Sequence, residues 1–246
     1  MRGWLGVARS LAVYWRPGRQ RGLRRLYGEF VGPGDLVFDV GAHVGDRTAA
    51  FATLGARVIA LEPQPAVLPW LRRRVGRHPG VTILEEAVGR AVGTATLAVS
   101  SAHPTVSTLA EDWRRDLSDR NPSFAGVRWD AAVEVPVTTL DLLIETYGVP
   151  RFCKIDVEGH EAEVLAGLSR PVPALSVEFV AGTFEVTRSC VARLAELGSY
   201  EYNVILGERR RFVFDRWRTG ADLEIWFDGG ADGASSGDVY ARLRRP

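Results

Sequence analysis

Residues 36–46 carry the sequence LVFDVGAHVGD, and this stretch decides the fold. Its first five residues are apolar apart from Asp39, which is typical of a strand that is buried on both faces of a sheet. Gly41 and Gly45 follow, and positions 44–54 have a helical pattern. A buried strand that passes through a glycine-containing turn into a helix predicts the first βα unit of a parallel sheet.

The chain repeats this alternation of β-branched runs and helical patterns. It predicts an α/β protein with a doubly wound, mostly parallel sheet and helices on both faces. Strands are predicted at 36–40, 57–61, 81–84, 151–155, 174–179, 200–206 and 223–227, with a further β excursion at 94–99. Helices are predicted at 44–54, 65–75, 160–168 and 184–197. The segments 200–206 and 223–227 are expected to close the sheet as a pair of strands.

Length and composition predict one domain with additions. The chain has 246 residues, 46% of them hydrophobic, which is enough for one large core or two small ones. We expect a basic N-terminal helical extension at 1–30 and the main domain at 31–246. Within it, residues 100–130 form a polar segment too long for an ordinary connection, and we interpret them as an insertion.

Charge and cysteine usage narrow the partners and the compartment. The formal net charge of +1 argues against a nucleic-acid partner. Residues 1–28 nevertheless contain seven arginines and no acid. This segment is either a helix packed on the domain with a solvated basic face, or a contact with a membrane surface or an acidic substrate. No apolar run is long enough to span a bilayer. Cys153 and Cys190 match no metal or redox spacing, which favours buried thiols and a cytoplasmic location.

The glycine turn has the outline of a nucleotide-cofactor loop. Gly41 and Gly45 allow a tight turn and close approach of a ligand to the backbone. His43 stands where the dinucleotide motif G-x-G-x-x-G requires its second glycine, which argues against NAD. A carboxylate at Asp39 repels a pyrophosphate and attracts a sulfonium, which favours S-adenosylmethionine. The alternative is a strand-to-helix turn without a ligand.

A second acid supports an adenosine-containing ligand. Glu62 follows Asp39 by 23 residues, at the end of the second predicted strand. An acid at about this spacing is placed to accept hydrogen bonds from the two hydroxyls of an adenosine ribose.

A third polar group lies at the end of the fourth predicted strand. Alternation along an extended chain puts Lys154, Asp156 and Glu158 on one side of the backbone. Lys154 is the single lysine among 31 basic residues. The alternative to a functional site is a salt-bridged strand end.

These stretches together resemble a known family. The ordered motifs D-V-G-A-x-x-G, A-x-E-P, A-V-G-x-x-x-G-x-x-x-L, T-L-D-x-L and K-I-D-V-E-G-x-E-x-x-V-L-x-G, spread over residues 34–178, resemble the FkbM methyltransferases, as does the ending GDVYAR at 237–242. The resemblance implies a seven-stranded class I methyltransferase (Rossmann-like) fold, S-adenosylmethionine as donor, and a hydroxyl acceptor on a polyketide, sugar or glycolipid-type metabolite. The cofactor-binding residues expected by position are Asp39, Gly41, His43, Gly45, Glu62, Glu86 and Ala87, the last two near the adenine.

Transfer of a methyl group to oxygen requires removal of the hydroxyl proton. We expect His160 or Asp156 to accept it, with Lys154 anchoring Asp156 or steering the acceptor. A divalent cation on Asp156 and Glu158 is an alternative that we do not favour. The insertion at 100–130 is expected on the acceptor side. The rival functions are an NAD(P)-type dehydrogenase and a non-catalytic module that binds an adenosine ligand.

Overall fold

The computed structural model describes residues 2–111, 113–115, 121 and 126–244, of which 2–5 are described by their backbone alone. Part of the predicted insertion at 100–130 therefore lies outside the described residues. The main sheet has seven strands in the order β3-β2-β1-β7-β8-β10-β9. Its strands are β1 Leu36–Val40, β2 Arg57–Leu61, β3 Val81–Leu84, β7 Phe152–Ile155, β8 Ala174–Val180, β9 Tyr200–Leu206 and β10 Ser236–Leu243.

Strand β10 runs antiparallel to both of its neighbours, β8 and β9, while the other pairings in this sheet are parallel. The predicted strand at 36–40 is confirmed residue for residue, and so are the strands at 57–61, 81–84 and 200–206. The order reverses beside β1, so that the ends of β1 and β7 border a crevice where ligands bind in folds of this kind.

Helices cover both faces of the sheet, which confirms the doubly wound prediction. The helices are α1 Arg2–Tyr14, α2 Arg19–Tyr27, α3 Asp46–Thr53, α4 Leu68–Val75, α5 Leu140–Tyr147, α6 Glu161–Ala166, α7 Phe184–Leu197 and α8 Gly220–Asp228, with short 3₁₀ turns at Pro104–Val106 and Ala231–Gly233. Strand β1 shows the two layers: Phe38 packs into the core beneath α5–α8, and Val37 into the core beneath α2 and α3. Successive residues of a strand face opposite sides of the sheet, so a strand that is covered on both faces needs apolar side chains on both.

The predicted strand at 223–227 is wrong, because this segment lies inside α8. Thr219 caps the helix, and Thr219 and Asp222 form a reciprocal capping box. Leu223 and Phe227, four residues apart on one face, are buried, whereas Ile225 between them is 70% exposed. The strand that closes the sheet is β10, which inserts between β8 and β9.

A second, three-stranded sheet stands beside the first. It has the order β4-β6-β5, formed by Ala87–Val88, Ala131–Thr138 and Gly93–Val99. The predicted β excursion corresponds to β5, while β6 and α5 were not predicted. The segment at 104–109, which follows β5 in the chain, contributes residues to the lining of the crevice.

The N-terminal helix α1 packs on the domain. Val7 is buried against Val44 and Val67, and the indole Nε1 of Trp15 donates to the carbonyl of Val44 at 3.1 Å. Among the described residues, no helix is both long and apolar enough to cross a membrane.

Candidate active site

A cleft of about 950 Å³ opens at the carboxyl ends of β1, β2, β7 and β8. Among the residues singled out from the sequence, eight line this cleft: Gly41, His43, Glu62, Glu86, Ala87, Asp156, Glu158 and His160. Three others, Asp39, Gly45 and Lys154, are not among the lining residues.

Gly41 is fixed by the packing of two strand ends. Its φ is 81°, and a Cβ at this position would lie 1.8 Å from the carbonyl oxygen of Asp156. The backbone N–H groups of Gly41 and Ala42 both donate to the carbonyl of Leu61. The close approach of β1, β2 and β7 at this point therefore requires a glycine.

Asp39 lies beneath the cleft. The side chain is fully buried, and its Oδ2 accepts a hydrogen bond from Thr48 Oγ1 at 2.5 Å. Burial raises the pKa of Asp39, an effect that the neighbouring Lys154 and Thr48 oppose. In this position the carboxylate ties β1 to α3. Gly45 likewise faces helix α4, since a Cβ there would lie 2.7 Å from Leu71 Cδ1.

Glu62 is held in one orientation by the backbone. Its Oε2 accepts from the His43 N–H at 2.8 Å, and its Oε1 accepts from the Gln64 N–H at 2.8 Å. The residue is 6% exposed, and burial raises its pKa to about 7 although both N–H groups lower it. Each carboxylate oxygen has two lone pairs, so each retains one for a ligand hydroxyl.

His43 occupies the turn next to Glu62. Its φ of 47° is unusual for a residue other than glycine. Its ring meets that of Tyr14 edge-on, with centroids 5.5 Å apart. Burial lowers the pKa of His43 to about 4, so the ring is neutral at physiological pH. Its Nε2 is buried and has no hydrogen-bond partner among the described residues.

The end of β7 holds a group of acids. Lys154, 1% exposed, donates to Asp156 Oδ2 at 2.6 Å. Burial would raise the pKa of Asp156, but Lys154 and Arg47 outweigh it and hold the pKa at about 2. Carboxylate oxygens of Asp156, Glu158 and Glu178 lie within 4.8 Å of one another. The pKa values of Glu158 and Glu178 are raised well above the ordinary value. Burial is the largest cause, and the negative charge of Asp156 is the next.

The loop after β7 is strained and tightly supported. Glu158 has a φ of 56°, a conformation that costs energy and is frequent at functional sites. Glu161 Oε1 accepts from the N–H groups of Val157 and Gly159. Trp113 packs so closely on Gly159 that a Cβ there would lie 2.3 Å from the indole. The described part of the 100–130 segment therefore contacts this loop directly.

His160 lies at the other side of the same loop. Its Nε2 lies 3.6 Å from the position that a Cβ on Gly89 would take. Burial lowers the pKa of His160, although Glu163 opposes the shift. A neutral imidazole is able to accept a proton.

Several lining residues were missed by the sequence reasoning. They are Tyr14 of α1, Asp46 and Arg47 of α3, Glu178 of β8 and Glu208 beyond β9, whereas the lining segment at 104–109 belongs to the insertion expected on the acceptor side. Glu178 carried a signal, because it is a single acid in the apolar run ALSVEFV. The others come together through tertiary contacts.

The lining suits an adenosine ligand that carries a positive charge. Glu62 presents two oriented oxygens of the kind that bind a ribose diol. The lining acids (Asp46, Glu62, Glu86, Asp156, Glu158, Glu178 and Glu208) outnumber the one lining guanidinium, that of Arg47. Although burial opposes it, neighbouring lysine and arginine side chains lower the pKa values of Asp156 and Glu208, so these two carboxylates stay ionised and attract a sulfonium.

Comparisons with known proteins agree with this geometry. A family model described as "Methyltransferase FkbM domain" matches residues 39–189. The chain is 28% identical over 179 residues to the hexuronic acid methyltransferase AglP of Haloferax volcanii, a match that covers 71% of this chain and 67% of that protein. A shorter match, 41% identical over 51 residues, is to the ribosomal RNA small subunit methyltransferase A of Thermotoga petrophila and covers 21% and 20% of the two chains.

Among solved structures, a TehB-like SAM-dependent methyltransferase from Corynebacterium glutamicum is similar with a TM-score of 0.47 and 12% identity, over 96% of this chain and 94% of that chain. The family model, in contrast, extends over more than half of the sequence and contains both the turn at Gly41 and the acids at the end of β7. The chain therefore belongs to the FkbM family of S-adenosylmethionine-dependent methyltransferases.

Proposed function

We propose that this chain transfers the methyl group of S-adenosylmethionine to a hydroxyl oxygen of a small-molecule acceptor, and that the acceptor is a sugar or a sugar-containing metabolite. One observation carries the proposal: a single cleft is lined both by the oriented carboxylate of Glu62 and by the candidate proton acceptors Asp156 and His160. The name of the Haloferax volcanii relative, a hexuronic acid methyltransferase, supports a sugar acceptor.

The cofactor half of the site is assigned to the turn after β1 and the end of β2. Glu62 binds the ribose hydroxyls, and the backbone from Gly41 to His43 forms the adjoining wall. Glu86 and Ala87 lie beside the adenine. Asp39, Gly45 and Lys154 support the site from below, because Asp39 ties β1 to α3 and Lys154 orients Asp156.

The bound donor supplies an electrophilic methyl group, and the chain must remove one proton from the acceptor. The acceptor oxygen forms the new bond to carbon while the bond between carbon and sulfur breaks, so an in-line approach is needed. His160 is the proposed base, since burial keeps its imidazole neutral. Asp156 is the alternative; its pKa of about 2 makes it a weak proton acceptor, but its charge can orient the acceptor hydroxyl.

The experiment is an acceptor panel assayed by release of S-adenosylhomocysteine. Purified protein is incubated with S-adenosylmethionine and with glucose, glucuronic acid, lipid-linked sugars or total RNA. Release that depends on a sugar, with a methyl ether in the product, supports the proposal. Methylation of RNA, or of an amine in place of a hydroxyl, contradicts it.

A further inference from the structure

Two arginines and two carboxylates meet on the α1–α3 side of the cleft. Arg19 begins α2, Asp46 and Arg47 begin α3, and Glu208 follows β9. The ring of Tyr14 lies beside both guanidinium groups, with its centroid 4.8 Å from Arg19 Cζ and 6.0 Å from Arg47 Cζ.

The two arginines share the same carboxylates unequally. Arg19 makes close contacts, with its Nε 2.7 Å from Asp46 Oδ2 and its Nη2 2.9 Å from Glu208 Oε2. Arg47 makes long ones, with Nη1 3.5 Å from Asp46 Oδ1 and Nη2 3.4 Å from Glu208 Oε1. Charged N–H···O bonds are normally about 2.7–2.9 Å long. The contacts of Arg19 have this length, whereas those of Arg47 are longer than a normal charged hydrogen bond.

Arg47 therefore retains hydrogen-bonding capacity that the described residues do not fill. A guanidinium has five N–H donors. The Arg47 Nε is buried without a hydrogen-bond partner among the described residues, and the whole side chain is only 14% exposed. A buried donor without an acceptor costs stability, and that cost is removed when a ligand supplies the acceptor.

Arg47 also has the right location. It lines the cleft, whereas Arg19 does not. Its charge also acts on Asp156 at the end of β7: against the effect of burial, Lys154 first and Arg47 second lower the pKa of that carboxyl. Among the lining residues it is the one permanent cation, so it is the group toward which an anionic part of a ligand is drawn.

We propose that Arg47 binds the carboxylate of a ligand in this cleft through its planar guanidinium. The inference rests on the proposed function, which provides two sources of such a carboxylate: the methionine end of the cofactor, or an acidic sugar acceptor. Both offer the same chemistry, since a guanidinium and a carboxylate pair in a two-pronged fashion that lysine cannot reproduce.

The cofactor arm of the test compares two ligands that differ only in this group. Calorimetry measures binding of S-adenosylhomocysteine and of its decarboxylated analogue, which keeps the amino group, to the wild type and to Arg47→Gln. If Arg47 holds the cofactor carboxylate, the substitution weakens binding of S-adenosylhomocysteine tenfold or more and leaves the affinity for the decarboxylated analogue within threefold.

The acceptor arm uses protein saturated with S-adenosylhomocysteine and titrated with glucuronic acid or with glucose. If Arg47 holds an acidic acceptor, Arg47→Gln leaves cofactor affinity unchanged and abolishes the preference for glucuronic acid over glucose. Arg47→Lys, which keeps the charge, then retains only part of that preference.

A control is Arg72→Gln, because Arg72 is an exposed arginine that pairs with Glu85 and does not line the cleft. It should leave the ratio of the two cofactor affinities and the acid preference unchanged. Thermal unfolding checks that each variant is folded, and Arg47→Lys provides a second variant. The inference is overturned if Arg47→Gln changes neither arm, or weakens both cofactor ligands equally. Failure of the wild type to bind S-adenosylhomocysteine would instead overturn the proposed function.

Discussion

Replacing Glu62 by glutamine removes one charge and exchanges one carboxylate oxygen for an amide nitrogen while keeping the size of the side chain. In the native protein the two oxygens accept N–H groups of His43 and Gln64, each at 2.8 Å. The amide nitrogen of glutamine cannot accept, so one of these N–H groups loses its partner. Leaving one such buried donor unpaired costs about 1–3 kcal/mol of folding free energy.

The effect on the cofactor adds to this. In the proposed complex the remaining lone pairs of Glu62 accept the ribose hydroxyls, and hydrogen bonds to a charged group contribute about 1.5–3 kcal/mol. At about 1.4 kcal/mol per tenfold change, Glu62→Gln should weaken binding of S-adenosylhomocysteine by about 10- to 150-fold. Glu62→Ala should weaken it at least as much.

The pKa of Glu62 predicts a pH dependence with a defined sign. Its folded pKa of about 7 is raised by burial, and the ribose hydroxyls donate to the ionised form. Affinity should therefore be full above pH 8 and fall as the pH drops through 7. At pH 6 about one molecule in ten is ionised in the free protein, so affinity should be about tenfold lower.

Calorimetry at pH 6, 7 and 8 with wild type, Glu62→Gln and the control Glu85→Gln measures both effects. Glu85 is an exposed neighbour that pairs with Arg72 and does not line the cleft, so its loss should change nothing. In Glu62→Gln the slope between pH 6 and 8 should disappear. Binding by Glu62→Gln within threefold of wild type, or a slope that persists in it, would refute the role assigned to Glu62.

Three further outcomes follow from the site. His160→Ala should lower turnover about a hundredfold or more and leave S-adenosylhomocysteine affinity unchanged, because it removes a base and no cofactor contact; near-normal turnover in a methyltransferase assay would assign the proton to another group. We expect that no metal is required, so treatment with EDTA should leave activity intact. The acids at the end of β7 would instead form a cation site if EDTA abolished activity, Mg²⁺ or Mn²⁺ restored it, and Asp156→Asn lowered turnover more than His160→Ala. Gly41→Ala should lower the unfolding temperature by several degrees, because its Cβ would lie 1.8 Å from the Asp156 carbonyl oxygen; an unchanged melting curve would show that this turn relaxes easily.

The local pattern was sufficient where the chain forms its own structure. The parallel sheet was specified by the buried run before Gly41 and by the alternation of strands and helices along the chain. Of the eleven residues singled out from the sequence, among them the acid 23 residues after Asp39, eight line the cleft. The ends of parallel strands meet at one edge of a sheet, so residues at those positions converge wherever they occur in the sequence. The pattern failed at 223–227, because leucine, isoleucine and phenylalanine at alternate positions of a short run fit a strand as well as a helix. The cap at Thr219 decided for the helix.

Sequence by itself determined that the chain contains a glycine turn after a buried strand, an acid at the end of the next strand and a polar strand end. Each is a contiguous motif whose backbone geometry follows from glycine, burial and alternation. Tertiary structure alone decided which charged groups line the cleft. It buried Asp39 and Lys154 beneath the cleft and brought Tyr14, Arg47, Glu178 and Glu208 to its wall from four separate segments. It also placed Arg19 in close contact with Asp46 and Glu208, and it left Arg47 with longer contacts and a hydrogen-bond donor unused by the described residues. The physical reason is that burial and pairing depend on neighbours remote in the chain, and local patterns carry no record of them.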